Sequence, residues 1–185
     1  MKKNKKLNIA IVGLGNIGLN LYQHLAKNKK SIIEKNNINF EVKYVSAKNK
    51  NKKRRINISK KKWLKNYLLA SRLTDVDVVV ELIGGAEGAA KKLVFSAIKN
   101  KKHVITANKA LISKYGDQLA LLAEKKKVNL EFEAAVAGGI PIIRTLKEGL
   151  VANKTSRIYG ILNGTSNYIL SNMDKMKMDF KSVLD

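Results

Sequence analysis

An α/β protein on a doubly wound parallel sheet is what this sequence of 185 residues predicts. Apolar runs of strand length alternate with segments of helical periodicity, which is the signature of strand–helix–strand units. Those runs are continuously apolar rather than alternating, as strands covered on both faces are. A change of character supplies a boundary. After Ala137 the alternation stops at GGIP, which holds the only proline. A sheet domain over 1–137 is therefore expected, followed over 138–185 by the beginning of a second, incomplete α+β domain.

The elements follow in order. Residues 7–15, LNIAIVGLG, read as a buried strand running into glycine, and 17–28 place Ile17, Leu21 and Leu25 at helical spacing. A polar connection, KKSIIEKNNIN, leads to a second strand, FEVKYVSA, and KNKNKKRR (48–55) reads as an exposed loop. WLKNYLLASR (63–72) predicts a helix and DVDVVVELIGG a third buried strand ending in paired glycines. Residues 87–100 are helical in pattern, KHVITA is a strand, 110–126 a longer helix, and VNLEFEAAV a further strand. A helix is expected from about 142 to 152 before SRIYGILNGTSNYIL opens new structure.

The formal charge of +23 is the most conspicuous total. Its lysine runs are scattered along nearly every loop, and aromatics do not interleave with them as a single-strand stacking platform requires. That pattern gives a solubilising, non-specifically sticky surface rather than a specific nucleic-acid partner. No apolar run approaches the roughly 20 residues that cross a bilayer, so no membrane partner is expected. The basic, then apolar, N-terminus is too short for a secretory signal and passes into glycines. With no cysteine there is neither a disulfide framework nor a thiolate metal site, which fits a cytoplasmic protein.

Gly13-Leu14-Gly15-Asn16-Ile17-Gly18 is a full G-x-G-x-x-G. Following a buried strand and opening an amphipathic helix, it predicts a dinucleotide site on a Rossmann-type sheet. Gly13 permits the tight turn, Gly15 lets the backbone approach a pyrophosphate, and Gly18 lets helix and strand pack closely. The helix N-terminus offers N–H groups to phosphate. At the end of the second strand, an acidic residue would select NAD by its ribose hydroxyl. Here stand Ser46, Ala47 and Lys48, with Arg54 and Arg55 beyond, which favours NADP over NAD.

Ligands of open α/β sheets lie beyond the carboxyl ends of the strands. Gly84 and Gly85 fall there, either to admit the nicotinamide half or simply to turn the chain. Thr106, Asn108 and Lys109 follow the fourth strand. Lys109 could bind a substrate carboxylate, polarise a carbonyl or deliver a proton, or pack its stem and leave its head in solvent.

VGLGNIG, VVELIGG, VITANKALI, EAAVAGGIPII and GILNGTSNYIL, in this order, resemble the homoserine dehydrogenases over essentially the whole chain. The resemblance implies NAD(P)-dependent interconversion of L-homoserine and L-aspartate 4-semialdehyde, in threonine and methionine biosynthesis, by a homodimer in its full-length form. It puts Asn16 and Ile17 in the cofactor loop, Lys48 near the adenosine phosphate, and Thr106 and Lys109 by the nicotinamide and substrate, with Lys109 catalytic. It implies a sodium site from the Glu133 carboxylate and the carbonyls of Val136, Gly138 and Ile140. Asn163, Gly164, Thr165 and Asn167 resemble the family's hinge and active-site wall.

The family's acidic substrate segment and second, acid–base lysine have no match before Asp185, which implies a fragment or truncated product, or a missing half supplied by another chain. A non-catalytic NAD(P)-binding or sensing module is the alternative. Truncation would also expose Ile158, Ile161, Leu162, Tyr168, Ile169 and Leu170.

Overall fold

The computed structural model of the chain describes residues 6–161 and 163–184. Five parallel strands form one sheet: β1 (Leu7–Val12), β2 (Phe40–Ser46), β3 (Val78–Glu81), β4 (His103–Thr106) and β5 (Leu130–Glu131), in the order β2-β1-β3-β4-β5. The helices of this part are α1 (Asn16–Lys27), α2 (Lys29–Asn36), α3 (Leu69–Arg72), α4 (Ala89–Lys99), α5 (Lys109–Lys126) and α6 (Glu133–Val136).

Side chains alternate across each strand, so the sheet makes two cores. Ala10, Val12, Val79 and Val104 turn to one face, packed with Leu93, Val94 and Ile98 of α4 and Leu111 and Leu119 of α5. Ile11, Val42, Val45, Val78 and Val80 turn to the other, with Leu21 and Leu25 of α1 partly buried against them. Each fully buried large aliphatic side chain contributes about 1.5–3 kcal/mol relative to exposure. This is the doubly wound arrangement that the unbroken apolar runs predict.

Three local expectations need correction. The segment 63–72 is not one helix. Lys60–Lys62 form a 3-10 turn, Trp63 bridges in parallel to Val45, and only Leu69–Arg72 are helical. Bulky Trp63 thereby extends the β2 edge instead of starting a helix. The connection 29–36 is itself a short helix, closed by Asn37 in a left-handed conformation. VNLEFEAAV is a strand for two residues only, because Glu133–Val136 turn into a helical segment.

Among the described residues no helix is long and apolar enough to cross a membrane. Contacts divide the chain into two units, Met1–Ile143 and Arg144–Asp185. The division falls later than the change of composition at Ala137 because the Ile143 N–H donates to Glu133 Oε1 at 2.9 Å, holding the GGIP segment to the first unit.

Where the two units divide, the expected helix is short: Ile142–Arg144 (α7) passes into a π-helical turn, Thr145–Gly149. Two helices follow, α8 (Gly164–Met176) and α9 (Phe180–Leu184). Ile158, Ile161, Tyr168 and Leu170 are exposed as expected, but Ile169 is buried. Leu162 lies outside the described residues. Exposed Val151, Ile158, Tyr159 and Ile161 predict hydrophobic-dye binding and concentration-dependent association. A monodisperse monomer that binds no dye would contradict this.

Candidate dinucleotide and substrate site

The strand order places a reversal of direction at β1, which pairs with β2 on one side and β3 on the other. A crevice for ligand opens at the carboxyl ends of strands at such a point. The glycine turn after β1 and the loop after β3 border it, and they are bonded to their neighbours. Gly13 N–H donates to Ser46 O at 2.9 Å, and Leu82 N–H to Val12 O at 2.8 Å.

The three glycines of the motif have different reasons to be glycine. Gly13 has φ +105°, and a Cβ there would lie 2.3 Å from Leu82 O. Gly18, in the first turn of α1, would put a Cβ 1.9 Å from Gly13 O. Gly15 is unlike both. Its φ of −75° is open to any residue, and its Cβ would meet nothing within 4 Å. The fold does not require glycine at 15, so the missing side chain leaves room in the crevice. Among the described residues no side chain caps the start of α1, and no acidic residue occupies its first turn, so neither source satisfies its amides. Asn16 is exposed, and Ile17 is 65% exposed at the mouth. A cradle lined by amides, with space kept where a side chain would sit, fits a pyrophosphate.

Beyond β2, Lys48 is exposed. Arg54 is not available as a phosphate ligand in this arrangement. Its guanidinium donates to the carbonyls of Asn49, Lys50 and Lys52 at 2.8, 3.1 and 3.0 Å and lies 5.2 Å from the Trp63 ring centre. The arginine organises the loop 48–55, and Arg55 remains exposed. No carboxylate occurs between Ser46 and Arg55.

Beyond β3 and β4 a buried network joins two loops. Glu81, wholly buried, accepts Ile83 N–H at 2.7 Å and Gly84 N–H at 3.2 Å on Oε1, and the Thr106 hydroxyl at 2.6 Å on Oε2. Gly84 and Gly85 both take positive φ, +85° and +77°, with open space where side chains would be. Thr106 Oγ1 accepts Asn108 N–H at 3.0 Å, and Asn108 caps α5 by accepting Leu111 N–H at 3.1 Å.

Thr106 is 0% exposed, so its hydroxyl positions other groups. Lys109 follows as the first residue of α5 and is exposed. A cation at a helix N-terminus opposes the helix dipole at a cost of about 0.3–1 kcal/mol. Among the described residues no ion pair at Lys109 offsets that cost, and the position suits an anionic or carbonyl ligand. Sequence reasoning missed Glu81 as a site residue. One acid inside VVVELI was the signal available.

Beyond β5, Glu133, Val136, Gly138 and Ile140 lie on α6 and the turn after it. Ala137 N–H donates to Glu133 O at 3.3 Å, and Ile140 N–H to Ala137 O at 2.9 Å. Among the described residues no group of three or more His, Cys, Asp or Glu is placed to hold a metal ion. In the second unit Asn163 caps α8 by accepting Ser166 N–H at 2.8 Å, and Gly164, Thr165 and Asn167 lie on its exposed first turn.

A cavity of about 750 Å³ runs along α3 and α4, lined in part by Leu68, Arg72, Glu87, Phe95 and Lys99. Glu87 is paired with Lys114 at 2.7 Å and Lys91 at 3.4 Å, and accepts the Tyr115 hydroxyl. These partners, Lys114 first, lower its pKa from 4.5 to about 2. A depressed carboxylate stabilises the fold above pH 4.5, and that contribution is lost as pH falls towards 2. Glu87→Gln is therefore expected to lower the thermal midpoint slightly at neutral pH, with the difference from wild type vanishing near pH 2. In about 1 M salt, where screening acts over about 3 Å, the difference should shrink at every pH. A pH-independent difference would contradict this.

Family profiles and relatives agree on one kinship. Residues 13–133 match the profile described as "Homoserine dehydrogenase, NAD binding domain", and 141–185 match "Homoserine dehydrogenase". The homoserine dehydrogenase of Neisseria gonorrhoeae is 44% identical over 180 residues, covering 97% of this chain and 41% of the relative. That of Bacillus subtilis is 37% identical with the same coverage. A homoserine dehydrogenase structure from Thiobacillus denitrificans superposes with a TM-score of 0.77 at 40% identity, over 97% of this chain and 41% of that one. One from Staphylococcus aureus at pH 8.5 gives 0.77 at 38%, over 99% and 43%. The chain thus spans about two fifths of the length of the relatives it matches.

Proposed function

The chain belongs to the homoserine dehydrogenase family, and from that premise we propose that it supplies the dinucleotide-binding half of an enzyme interconverting L-homoserine and L-aspartate 4-semialdehyde. The observation that carries the reading is the space kept open at Gly15 in front of the uncapped amides of α1. The nicotinamide cofactor supplies the hydride acceptor and donor. The chain's own residues bind and orient. Amides of Asn16 and Ile17 receive the pyrophosphate, the loop Ile83–Gly85 borders the nicotinamide end, and Lys109 reaches the substrate.

Oxidation of the alcohol removes one proton from oxygen as hydride leaves carbon. In the reductive direction the Lys109 ammonium donates that proton to the carbonyl oxygen and on oxidation the resulting amine takes it back; in the other role the ammonium pairs with the substrate carboxylate. NADP is favoured over NAD because Ser46–Arg55 offers no carboxylate to a ribose hydroxyl, while Lys48 and Arg55 are exposed there.

The family resemblance also supports sodium held by Glu133 and the carbonyls of Val136, Gly138 and Ile140, a cytoplasmic setting, homodimers of the full-length form, and a place in threonine and methionine synthesis. On the same reading 1–137 bind cofactor and 138–185 begin the substrate and dimerisation domain.

The test is homoserine-dependent NADP reduction. Lys109→Ala is expected to cut it by about 100-fold or more. An effect confined to kcat assigns Lys109 to the reacting oxygen, and one confined to KM assigns it to the carboxylate. Turnover untouched by Lys109→Ala contradicts the assignment. Cofactor binding with no turnover in the wild-type chain would leave the dinucleotide-binding module.

A further inference from the structure

Glu81 is a buried acid that the proposed chemistry does not use. Among the described residues its three hydrogen-bond donors are neutral: the amides of Ile83 and Gly84 and the hydroxyl of Thr106. Burying a carboxylate is costly, and an apolar residue of similar volume would serve packing alone at least as well. What the carboxylate adds is direction, because charge-assisted bonds are short and orient their donors.

The bonds close a ring. Glu81 fixes Ile83 and Gly84 directly. It also takes the single proton of Thr106, leaving a lone pair on that oxygen for Asn108 N–H at 3.0 Å. Asn108 then divides its amide. Its Nδ2 donates to Gly85 O at 2.7 Å, back across to the glycine turn, and its Oδ1 caps Leu111. Lys109 is the next residue in the chain. The turn after β3 and the first turn of α5 are thus held from one point.

We propose that Glu81 is a positioning residue of the dinucleotide and substrate site: its carboxylate sets the Gly84–Gly85 turn directly and the Lys109 end of α5 through Thr106 and Asn108. This rests on the function proposed above. Glu81 touches neither ligand; it acts through the groups that would.

The test compares Glu81→Gln, Thr106→Val and Thr106→Ser with wild type, by amide hydrogen exchange without ligand and by calorimetric titration with NADPH. Glu81→Gln keeps the shape but replaces an acceptor oxygen with a donor. It is expected to speed exchange at Ile83, Gly84, Asn108 and Leu111 by about tenfold or more, and to weaken NADPH binding about tenfold. Thr106→Val breaks only one arm, so Asn108 and Leu111 should quicken while Ile83 and Gly84 do not. Thr106→Ser, which keeps the hydroxyl, should restore wild-type exchange.

Unchanged exchange at both ends in Glu81→Gln overturns the proposal, and so does faster exchange with NADPH affinity within about twofold of wild type. Should Glu81→Gln fail to fold, the Thr106 pair decides, since equal effects of Val and Ser at Asn108 and Leu111 would overturn the relay. A wild-type chain that binds no NADPH defeats the dinucleotide reading instead. The ligand-free exchange measurement keeps the two failures apart.

Discussion

Gly18→Ala is expected to lower the thermal midpoint of the first unit by about 5 °C or more. Two effects oppose each other. Gly18 lies inside α1, where alanine is intrinsically better by about 1 kcal/mol. Against that, the added Cβ would stand 1.9 Å from Gly13 O and 3.0 Å from Gly13 C. Both are backbone atoms of a turn already bonded to β2 through Gly13 N–H, so they cannot swing away as the end of a side chain would. Overpacking of this kind costs about 3 kcal/mol. The clash wins by about 2 kcal/mol, which is a shift of about 4–8 °C for a domain of this size. Thermal unfolding followed by circular dichroism reads it directly. An alanine variant as stable as wild type would mean that α1 can slide away from β1, and the account of the turn would fail.

Gly15→Ala should do the reverse, keeping the fold and losing the ligand. Its φ of −75° is ordinary and its Cβ would meet nothing. Alanine is a poorer N-cap than glycine, yet it also restricts the unfolded chain by about 0.4–1 kcal/mol, so the two changes offset. Stability is expected to stay within about 1 kcal/mol of wild type. A pyrophosphate drawn to the α1 amides, however, would occupy the space the methyl takes. NADPH affinity should fall by about 100-fold, equivalent to about 2.7 kcal/mol, measured by titration calorimetry at matched protein stability. Retained affinity would show that the ligand approaches α1 by another side. Together the two variants separate glycine kept for packing from glycine kept for function, within one six-residue motif.

That separation marks what the sequence could show. The pattern G-x-G-x-x-G named all three positions and their usual reasons, and the strand–helix alternation gave the parallel sheet, because both are local signals. Where structure departed from expectation, tertiary contacts outweighed local pattern. WLKNYLLASR carries helical spacing, but Trp63 is captured by Val45 at the sheet edge. EAAV reads as strand until the chain turns over Glu133 and is tied to Ile143. Arg54 counted by position among the residues favouring NADP and proves to be wrapped by its own loop's carbonyls, a fact no spacing reveals. Glu81 was visible as a misplaced acid, but its partners Thr106 and Gly84 lie on different loops, so only the pairing of β3 with β4 brings its meaning into view.

The contact between Arg54 and Trp63 has one more consequence. Trp63 is the chain's single tryptophan, and Arg54 and Lys50 both lie over its ring, at 5.2 and 5.9 Å. The chain therefore carries one native indole beneath the loop that would discriminate between NAD and NADP. Indole emission overlaps the absorption of reduced nicotinamide, so quenching and energy transfer report occupancy without a label. Because one indole emits when excited beyond the tyrosine band, a change in its lifetime reports on the surroundings of Trp63, and stopped-flow traces of it would time the loop's rearrangement separately from hydride transfer.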